Sequence, residues 1–221
     1  MTLEAGLFRL HRAELGYQGQ AVLEDLTLEL AAGEKVALLG QSGTGKSTLL
    51  RQLRQQRPEQ VAWCPQQPGL VPMLSAFHNI YMGRLHRYPF WFNLANLIRP
   101  LAGPRAEIAA LADELALGHR LWHRAERLSG GQQSRVSLGR ALYQQRPVFL
   151  GDEPVSALDE QQADRLLALI CQRHQTVVLA LHDVELALRH CDRIIGLKQG
   201  RIALDGPSGD FSAQQLLTLY A

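Results

Sequence analysis

The sequence has few cysteines and almost no surplus of charge of either sign. Its 221 residues include three cysteines, Cys64, Cys171 and Cys191, and their spacing does not match a metal-ligand pattern. An odd number of scattered cysteines predicts reduced packing residues in a cytosolic protein. With 23 basic and 21 acidic residues, the net charge of +2 is too balanced to favour nucleic acid as the main partner.

The sequence also lacks segments that would enter or cross a membrane. The first residues, Met-Thr-Leu-Glu-Ala, do not show the basic region and apolar stretch of a secretion signal. No charge-free apolar run approaches the roughly 18 residues that a membrane-spanning helix needs. We therefore expect any membrane association to go through a partner protein. A hydrophobic content of 46% is enough for the core of one domain, or of one domain with a subdomain.

A glycine-rich motif follows a short apolar run, Lys35–Leu39, that predicts a buried parallel strand. Gly40–Ser47 fits the phosphate-binding loop G-x-x-x-x-G-K-[ST]. We expect the N–H groups of this loop and the N-terminus of the next helix to bind phosphates. In such a loop Lys46 reaches the β- and γ-phosphates and Ser47 is a Mg²⁺ ligand. The predicted nucleotide-binding residues of this segment are Gly40, Gln41, Ser42, Gly43, Thr44, Gly45, Lys46, Ser47 and Thr48.

The rest of the pattern alternates strands with helices, which predicts an α/β fold with a mostly parallel sheet. A long interval in the middle, 75–145, has no strand pattern and predicts a helical subdomain. Strands are predicted near 7–14, 22–30, 35–39, 61–64, 147–151 and 176–181, with a C-terminal hairpin over 193–205. Helices are predicted at 46–56, 160–173 and 183–190, and a last amphipathic segment covers 211–220.

A second motif narrows the class of nucleotide-binding protein. Leu128–Gln132 reads Leu-Ser-Gly-Gly-Gln, and an apolar run ending in Asp152 and Glu153 follows it. With the phosphate loop, these motifs resemble the ATP-binding cassette (ABC) family of transporter ATPases. The resemblance implies a P-loop NTPase of ABC type with a small, here shortened, antiparallel β-subdomain, and ATP and Mg²⁺ as cofactors. It further implies one domain over 1–221, with a core of about 1–66 and 146–221 and a helical subdomain of about 67–145.

The resemblance also assigns roles to polar residues at predicted strand ends. It places Asp152 in the Mg²⁺ shell, Glu153 beside the attacking water as catalytic base, and His182 at the γ-phosphate. Gln66 matches a glutamine that joins the Mg²⁺ and water site, with Gln67 as the alternative.

Tyr17 matches the aromatic residue that stacks on adenine in this family. The competing interpretation of Tyr17 is a tyrosine that simply packs at the end of a strand.

The family resemblance implies a site shared between two cassettes. Ser129, Gly130, Gly131 and Gln132 are expected to begin a helix, with Ser129 as its N-cap. In the family this helix start faces the γ-phosphate held by a second cassette, and Ser156–Asp159 matches the loop between the two sites. A second ATPase subunit is therefore the first expected partner, in a homodimer.

One interval departs from the family pattern. Gln66 follows Lys46 by only 20 positions, whereas family members usually have a longer interval that includes a β-hairpin. We expect less sheet around the base and weaker nucleotide binding by the isolated subunit.

The segment from Leu70 to Leu94 gives a prediction of the transported solute. Leu70–Ser75 and the residues up to Ile80 match the coupling region of the family, and Tyr88–Leu94 resembles an aromatic insertion of phosphonate-importer ATPases. The alternative is that Phe90, Trp91 and Phe92 only pack a helical hairpin.

The resemblance implies membrane permease subunits as partners and, indirectly, an extracytoplasmic solute-binding protein. It places the chain peripherally at the cytoplasmic face of the inner membrane, in phosphonate or related oxyanion uptake. Another small solute and a soluble, non-transport ABC ATPase are the alternatives. A non-hydrolytic regulatory subunit conflicts with the presence of Asp152, Glu153 and His182.

Overall fold

The computed structural model describes residues 6–17 and 20–220. The first two strands of the described residues, β1 (Phe8–Tyr17) and β2 (Gln20–Leu30), are long and antiparallel and form a sheet of their own. This confirms the predicted small antiparallel β-subdomain. Its shortening is also confirmed, because only residues 57–60, which include a turn, separate the first helix from the next strand.

A mostly parallel sheet lies at the centre of the described residues, with strand order β4-β5-β6-β3-β7-β8. Only the pairing of β7 with β8 is antiparallel within this sheet, as expected for a C-terminal hairpin. The strands are β3 (Lys35–Leu39), β4 (Val61–Cys64), β5 (Val148–Asp152), β6 (Thr176–Ala180), β7 (Arg193–Lys198) and β8 (Arg201–Pro207).

Helices fill the interval between β4 and β5, which confirms that the region 75–145 is helical. Among the described residues, no helix combines the length and apolar character that crossing a bilayer requires. The α-helices are α1 (Lys46–Gln56), α2 (Ala76–Tyr81), α3 (Phe90–Ile98), α4 (Ala102–Glu114), α5 (Gly130–Tyr143), α6 (Glu160–Arg173), α7 (Val184–His190) and α8 (Ala213–Leu217).

Two hydrophobic layers cover the two faces of the central sheet. Because side chains alternate along a strand, Val36 and Leu38 of β3 pack against the two-stranded sheet and α1. Ala37 and Leu39 of the same strand pack on the opposite layer, which includes α2 and α4 to α7. These central strands are therefore apolar on both faces, as their sequence predicted.

The parallel strands bring the ends of three apolar runs to one edge of the sheet. Leu38 of β3 and Asp152 of β5 both pair with Ala180 of β6, so these strands are neighbours in register. The residues after them, Gly40, Glu153 and His182, consequently lie at the same edge. Ligands of open α/β sheets bind outside the carboxyl ends of such strands.

Candidate active site

The glycine-rich loop between β3 and α1 has a backbone that only small residues allow. Gly40 and Gly45 have φ values of 140° and 102°, a region that favours glycine. A Cβ atom on Gly40 would collide with the carbonyl oxygen of Leu197, and one on Gly45 would collide with the side chain of Leu23. The first turn of α1 has no side-chain cap and no acidic residue. Its N–H groups and dipole are therefore available to an anion.

Lys46 begins α1 and lies at the centre of this loop. Its side chain is buried, and its Nζ atom donates to the carbonyl oxygens of Gly40 at 2.5 Å and Gln41 at 2.9 Å. Burial lowers the pKa of Lys46, and the negative charges of Glu153 and Asp152 oppose that shift. The two acids at the end of β5, Asp152 and Glu153, thus lie near the lysine of the phosphate loop.

Asp152 is the last residue of β5, so the strand ends one residue later than the predicted end at 151. The residue is buried, and among the described residues no hydrogen-bond donor contacts its Oδ1 atom. Burial raises the pKa of Asp152, whereas the Ser47 hydroxyl, which faces the carboxylate, lowers it. A buried carboxylate oxygen without a donor is costly unless a cation binds it. Together with the Ser47 hydroxyl, this oxygen is a suitable pair of ligands for a hard divalent cation.

Glu153 and His182 contact each other directly at the edge of the sheet. Glu153 Oε1 lies 2.6 Å from His182 Nε2, and the glutamate N–H donates to the carbonyl oxygen of Ala180 at 3.1 Å. The φ angle of Glu153 is 53°, an unfavourable value for a non-glycine residue that is often found at functional sites. A cavity of about 360 Å³ opens beside this pair, also lined by Ser156 and Asp183. A carboxylate and an imidazole placed in this way can exchange protons with a bound water.

The predicted glutamine of the site does not hydrogen-bond to this cluster within the described residues. Gln66 and Gln67 both lie exposed on the loop after β4, so the structure does not decide between them. The backbone of Tyr17 ends β1, and its side chain lies outside the part of the chain that the structure describes. The adenine-stacking role of Tyr17 therefore stays a prediction.

The Leu-Ser-Gly-Gly-Gln motif begins α5, as predicted. Ser129 is the N-cap and forms a capping box with Gln132, whose side chain accepts from the Ser129 N–H at 3.0 Å. Ser129 and Gly130 are exposed, and a Cβ atom on Gly131 would lie 3.0 Å from the carbonyl oxygen of Ala157. Within the described ranges, none of these motif residues hydrogen-bonds to the phosphate loop.

The three aromatic residues at the start of α3, Phe90, Trp91 and Phe92, differ in their environment. Phe92 stacks on Tyr88 with ring centroids 4.5 Å apart, so this residue packs within the helical region. Phe90 and Trp91 are 67% and 75% exposed, so these two side chains form an exposed apolar surface. The packing interpretation is thus right for Phe92 and wrong for Phe90 and Trp91.

Sequence reasoning missed two residues that bind the loops of the site. Arg140 of α5 donates to the carbonyl oxygens of Pro68 and Gly69, on the loop that carries Gln66. Tyr220, near the C-terminus, hydrogen-bonds to the phosphate loop and to the His182 segment. No local pattern signals either contact, because the partners are 71 and 180 positions apart for the Arg140–Gly69 and Gly40–Tyr220 bonds.

Known proteins resemble this chain over most of its length. The family model described as ABC transporter matches residues 23–60 and 51–156. Phosphonates import ATP-binding protein PhnC 2 of Pseudomonas aeruginosa strain UCBPP-PA14 is 40% identical, over 92% of this chain and 86% of that protein. Phosphonates import ATP-binding protein PhnC 1 of Pseudomonas syringae pv. tomato strain DC3000 is 39% identical, over 100% of this chain and 92% of its own length.

A solved structure has the same fold and contains the products of ATP hydrolysis. It is a dimeric, post-hydrolysis state of the ATP-binding cassette MJ0796 bound to ADP and Pi, and its TM-score to this chain is 0.73. The two chains are 26% identical, and the match covers 90% of this chain and 98% of the other. Together with the family model and the curated relatives, this identifies the chain as a member of the ABC transporter family and as an ATPase of that family.

Proposed function

We propose that the chain is the ATP-hydrolysing subunit of an ABC importer, and that its solute is a phosphonate or a related oxyanion. The observation that carries the ATPase part is the meeting of Lys46, Asp152, Glu153 and His182 at one sheet edge. The names of the curated relatives, which are phosphonate import proteins, support the solute.

In this proposal each residue of the cluster has a separate task in hydrolysis. The N–H groups of the phosphate loop and Lys46 bind and neutralise the phosphates of ATP. Glu153 orients the attacking water and accepts its proton. His182 contacts the γ-phosphate, and its 2.6 Å contact to Glu153 holds the imidazole and the carboxylate in a fixed relation.

The residues present also fit Mg²⁺, which shields the negative charge of the phosphates when bound. Asp152 and Ser47 would hold the ion, with Gln66 as a third ligand from the loop after β4. The support is the buried Asp152 Oδ1 atom, which has no hydrogen-bond donor among the described residues. Mg²⁺ keeps several waters and needs few protein oxygens, so this small set is sufficient.

A second subunit would complete each nucleotide site. Ser129 and Gly130 are exposed at the N-terminus of α5, whose N–H groups suit a phosphate held by another copy. Ser156–Asp159 would lie between the two sites, since the chain passes directly from Glu153 into this loop. The likeness to a dimeric cassette supports a homodimer with two-fold symmetry.

The surface around α3 is the proposed docking site for the permease. An apolar groove of about 270 Å³ lies there, lined by residues that include Leu74, Tyr81, Leu85, Phe90 and Leu97. No acidic residue occurs between Glu59 and Glu107, so a permease segment would meet an apolar and weakly basic surface. The subunit would thus work at the cytoplasmic face of the inner membrane, with the solute-binding protein acting on it only through the permease.

Trp91→Ala should weaken the complex with the permease without changing ATP hydrolysis by the isolated subunit. The indole is 75% exposed, so its removal deletes contact area for a partner and leaves the core intact. Co-purification of the permease with a tagged subunit measures the effect. Leu217→Ala is the matched control, because Leu217 is 57% exposed on α8, away from the groove. Equal permease recovery with both variants would contradict the docking site.

The solute is tested by growth of the source organism on a phosphonate as sole phosphorus source. Deletion of the gene should abolish this growth and leave growth on inorganic phosphate unchanged. A plasmid with the wild-type gene should restore growth, and one with Glu153→Gln should not. Unimpaired growth on phosphonate, with lost uptake of another solute, would refute the solute and leave the ATPase proposal intact.

A further inference from the structure

The C-terminal tyrosine lies between two loops of the active site. The Gly40 N–H donates to the Tyr220 hydroxyl at 3.4 Å, and this hydroxyl donates to the carbonyl oxygen of His182 at 3.4 Å. The carbonyl oxygen of Tyr220 accepts from the Gln41 side chain at 2.8 Å. One residue thus contacts the first two positions of the phosphate loop and the backbone of the histidine that faces Glu153.

The segment that carries Tyr220 is firmly attached to the core. Helix α8 starts with a capping box formed by Ser212 and Gln215. Leu216 and Leu219 are buried in the hydrophobic layer that covers the helical face of the sheet. Lys198 Nζ donates to the carbonyl oxygen of Thr218 at 3.0 Å. The backbone next to Tyr220 is therefore fixed, so its contacts can position other groups.

The surroundings of the phenol place it close to the charged groups of the site. Burial raises the pKa of Tyr220, the Gly40 hydrogen bond lowers it, and the carboxylates of Asp183 and Glu153 raise it. The hydroxyl therefore stays neutral at physiological pH, so it can donate to the His182 carbonyl oxygen while accepting from Gly40.

We propose that Tyr220 is a positioning residue for ATP hydrolysis, which joins the phosphate loop to the His182 loop and so fixes the imidazole relative to the bound phosphates. The inference rests on the proposed role of His182. The hydroxyl contacts the backbone of Gly40 and His182, so its effect goes through these two backbone groups.

The test is Tyr220→Phe, which keeps the packed ring and removes the hydroxyl alone. We expect kcat for ATP to fall about fivefold, the rate factor that corresponds to one lost neutral hydrogen bond. KM for ATP should stay close to wild type, and the melting temperature should fall by no more than in the control variant, which also loses one hydroxyl. Tyr143→Phe is the matched control, because its hydroxyl donates to Glu107 at 3.0 Å in the helical region. That variant should lower the melting temperature and leave kcat unchanged.

A second readout does not depend on turnover. In protein labelled with ¹⁵N-histidine, Tyr220→Phe should shift the ring signals of His182, which are assigned by their absence in His182→Ala. The signals of His174 and His190 should stay in place, since their hydrogen bonds go to Ile170 and Asp164.

The outcomes separate this inference from the proposed function. If His182→Ala abolishes hydrolysis and Tyr220→Phe changes neither kcat nor the His182 signals, the positioning role is refuted and the ATPase proposal stands. A fall in melting temperature without a fall in kcat would also refute it, since the hydroxyl would then only stabilise the fold. If His182→Ala hydrolyses ATP at the wild-type rate, the role of His182 itself fails.

Discussion

Glu153→Gln is expected to lower steady-state ATP hydrolysis by about 10³-fold, within the range that loss of a general base produces, and to leave ATP binding intact. Glutamine has nearly the same shape and can still hydrogen-bond to His182 Nε2, which lies 2.6 Å from Glu153 Oε1. The charge that accepts a proton from water is lost, whereas Lys46 and the loop N–H groups that bind phosphates are unchanged. Release of phosphate measures turnover, and titration with a fluorescent ATP analogue measures binding.

Glu160→Gln is the matched control for this variant. Glu160 is exposed in the first turn of α6, only seven positions further along the chain, and it lines the same cavity. The control should hydrolyse ATP at close to the wild-type rate. Turnover by Glu153→Gln within a factor of about three of wild type, well below the usual range for a general base, would exclude Glu153 as the base.

The second prediction with a large expected effect is that ATP makes two subunits form a dimer. With Glu153→Gln present to prevent turnover, ATP and Mg²⁺ should convert the isolated subunit from monomer to dimer, and adding Ser129→Arg should abolish the dimer. Ser129 is exposed at the N-terminus of α5, where a second copy's nucleotide is proposed to bind. An arginine side chain fills that space and removes the cap. Light scattering after size-exclusion chromatography distinguishes the two masses.

Loss of a helix cap is itself destabilising by about 1 kcal/mol, so the control must lose one as well. Ser212→Arg removes the capping box of α8, which has the same Ser-Gln pattern. That variant should still form a dimer with ATP. An ATP-induced dimer that persists with Ser129→Arg, or a dimer that forms equally without ATP, would contradict a site shared at this motif.

Local patterns in the sequence were sufficient to predict much of the fold. The bounds of α1 agree with the prediction 46–56, because a glycine with φ of 102° precedes the helix and an apolar face runs along it. β4 agrees with 61–64, since polar residues precede this short run and Pro65 follows it. The predicted end of β5 was one residue early, because Asp152 still pairs with Ala180 and the chain turns only at Glu153.

The tertiary contacts of the site could not be predicted from the same patterns. The burial of Asp152 Oδ1 and the 2.6 Å contact between Glu153 and His182 depend on strands that are adjacent in space and distant in sequence. The contacts of the Arg140 guanidinium and of the Tyr220 hydroxyl go to backbone carbonyls and N–H groups, which nearly every residue type offers. A sequence pattern cannot single out such partners, since the partner's side chain plays no part.

The hydrogen bonds of Arg140 to the loop after β4 connect this loop mechanically to the N-terminus of α5. Helix α5 has 14 residues and is therefore about 21 Å long at 1.5 Å per residue. Ser129 is its N-cap, and its last turn holds Arg140, which donates to the carbonyl oxygens of Pro68 and Gly69. Because a packed helix moves as one body, a shift of the loop at one end must displace the other end. In the proposed importer, a movement of the permease on solute binding would therefore also displace Ser129, which is proposed to face the ATP of the second subunit.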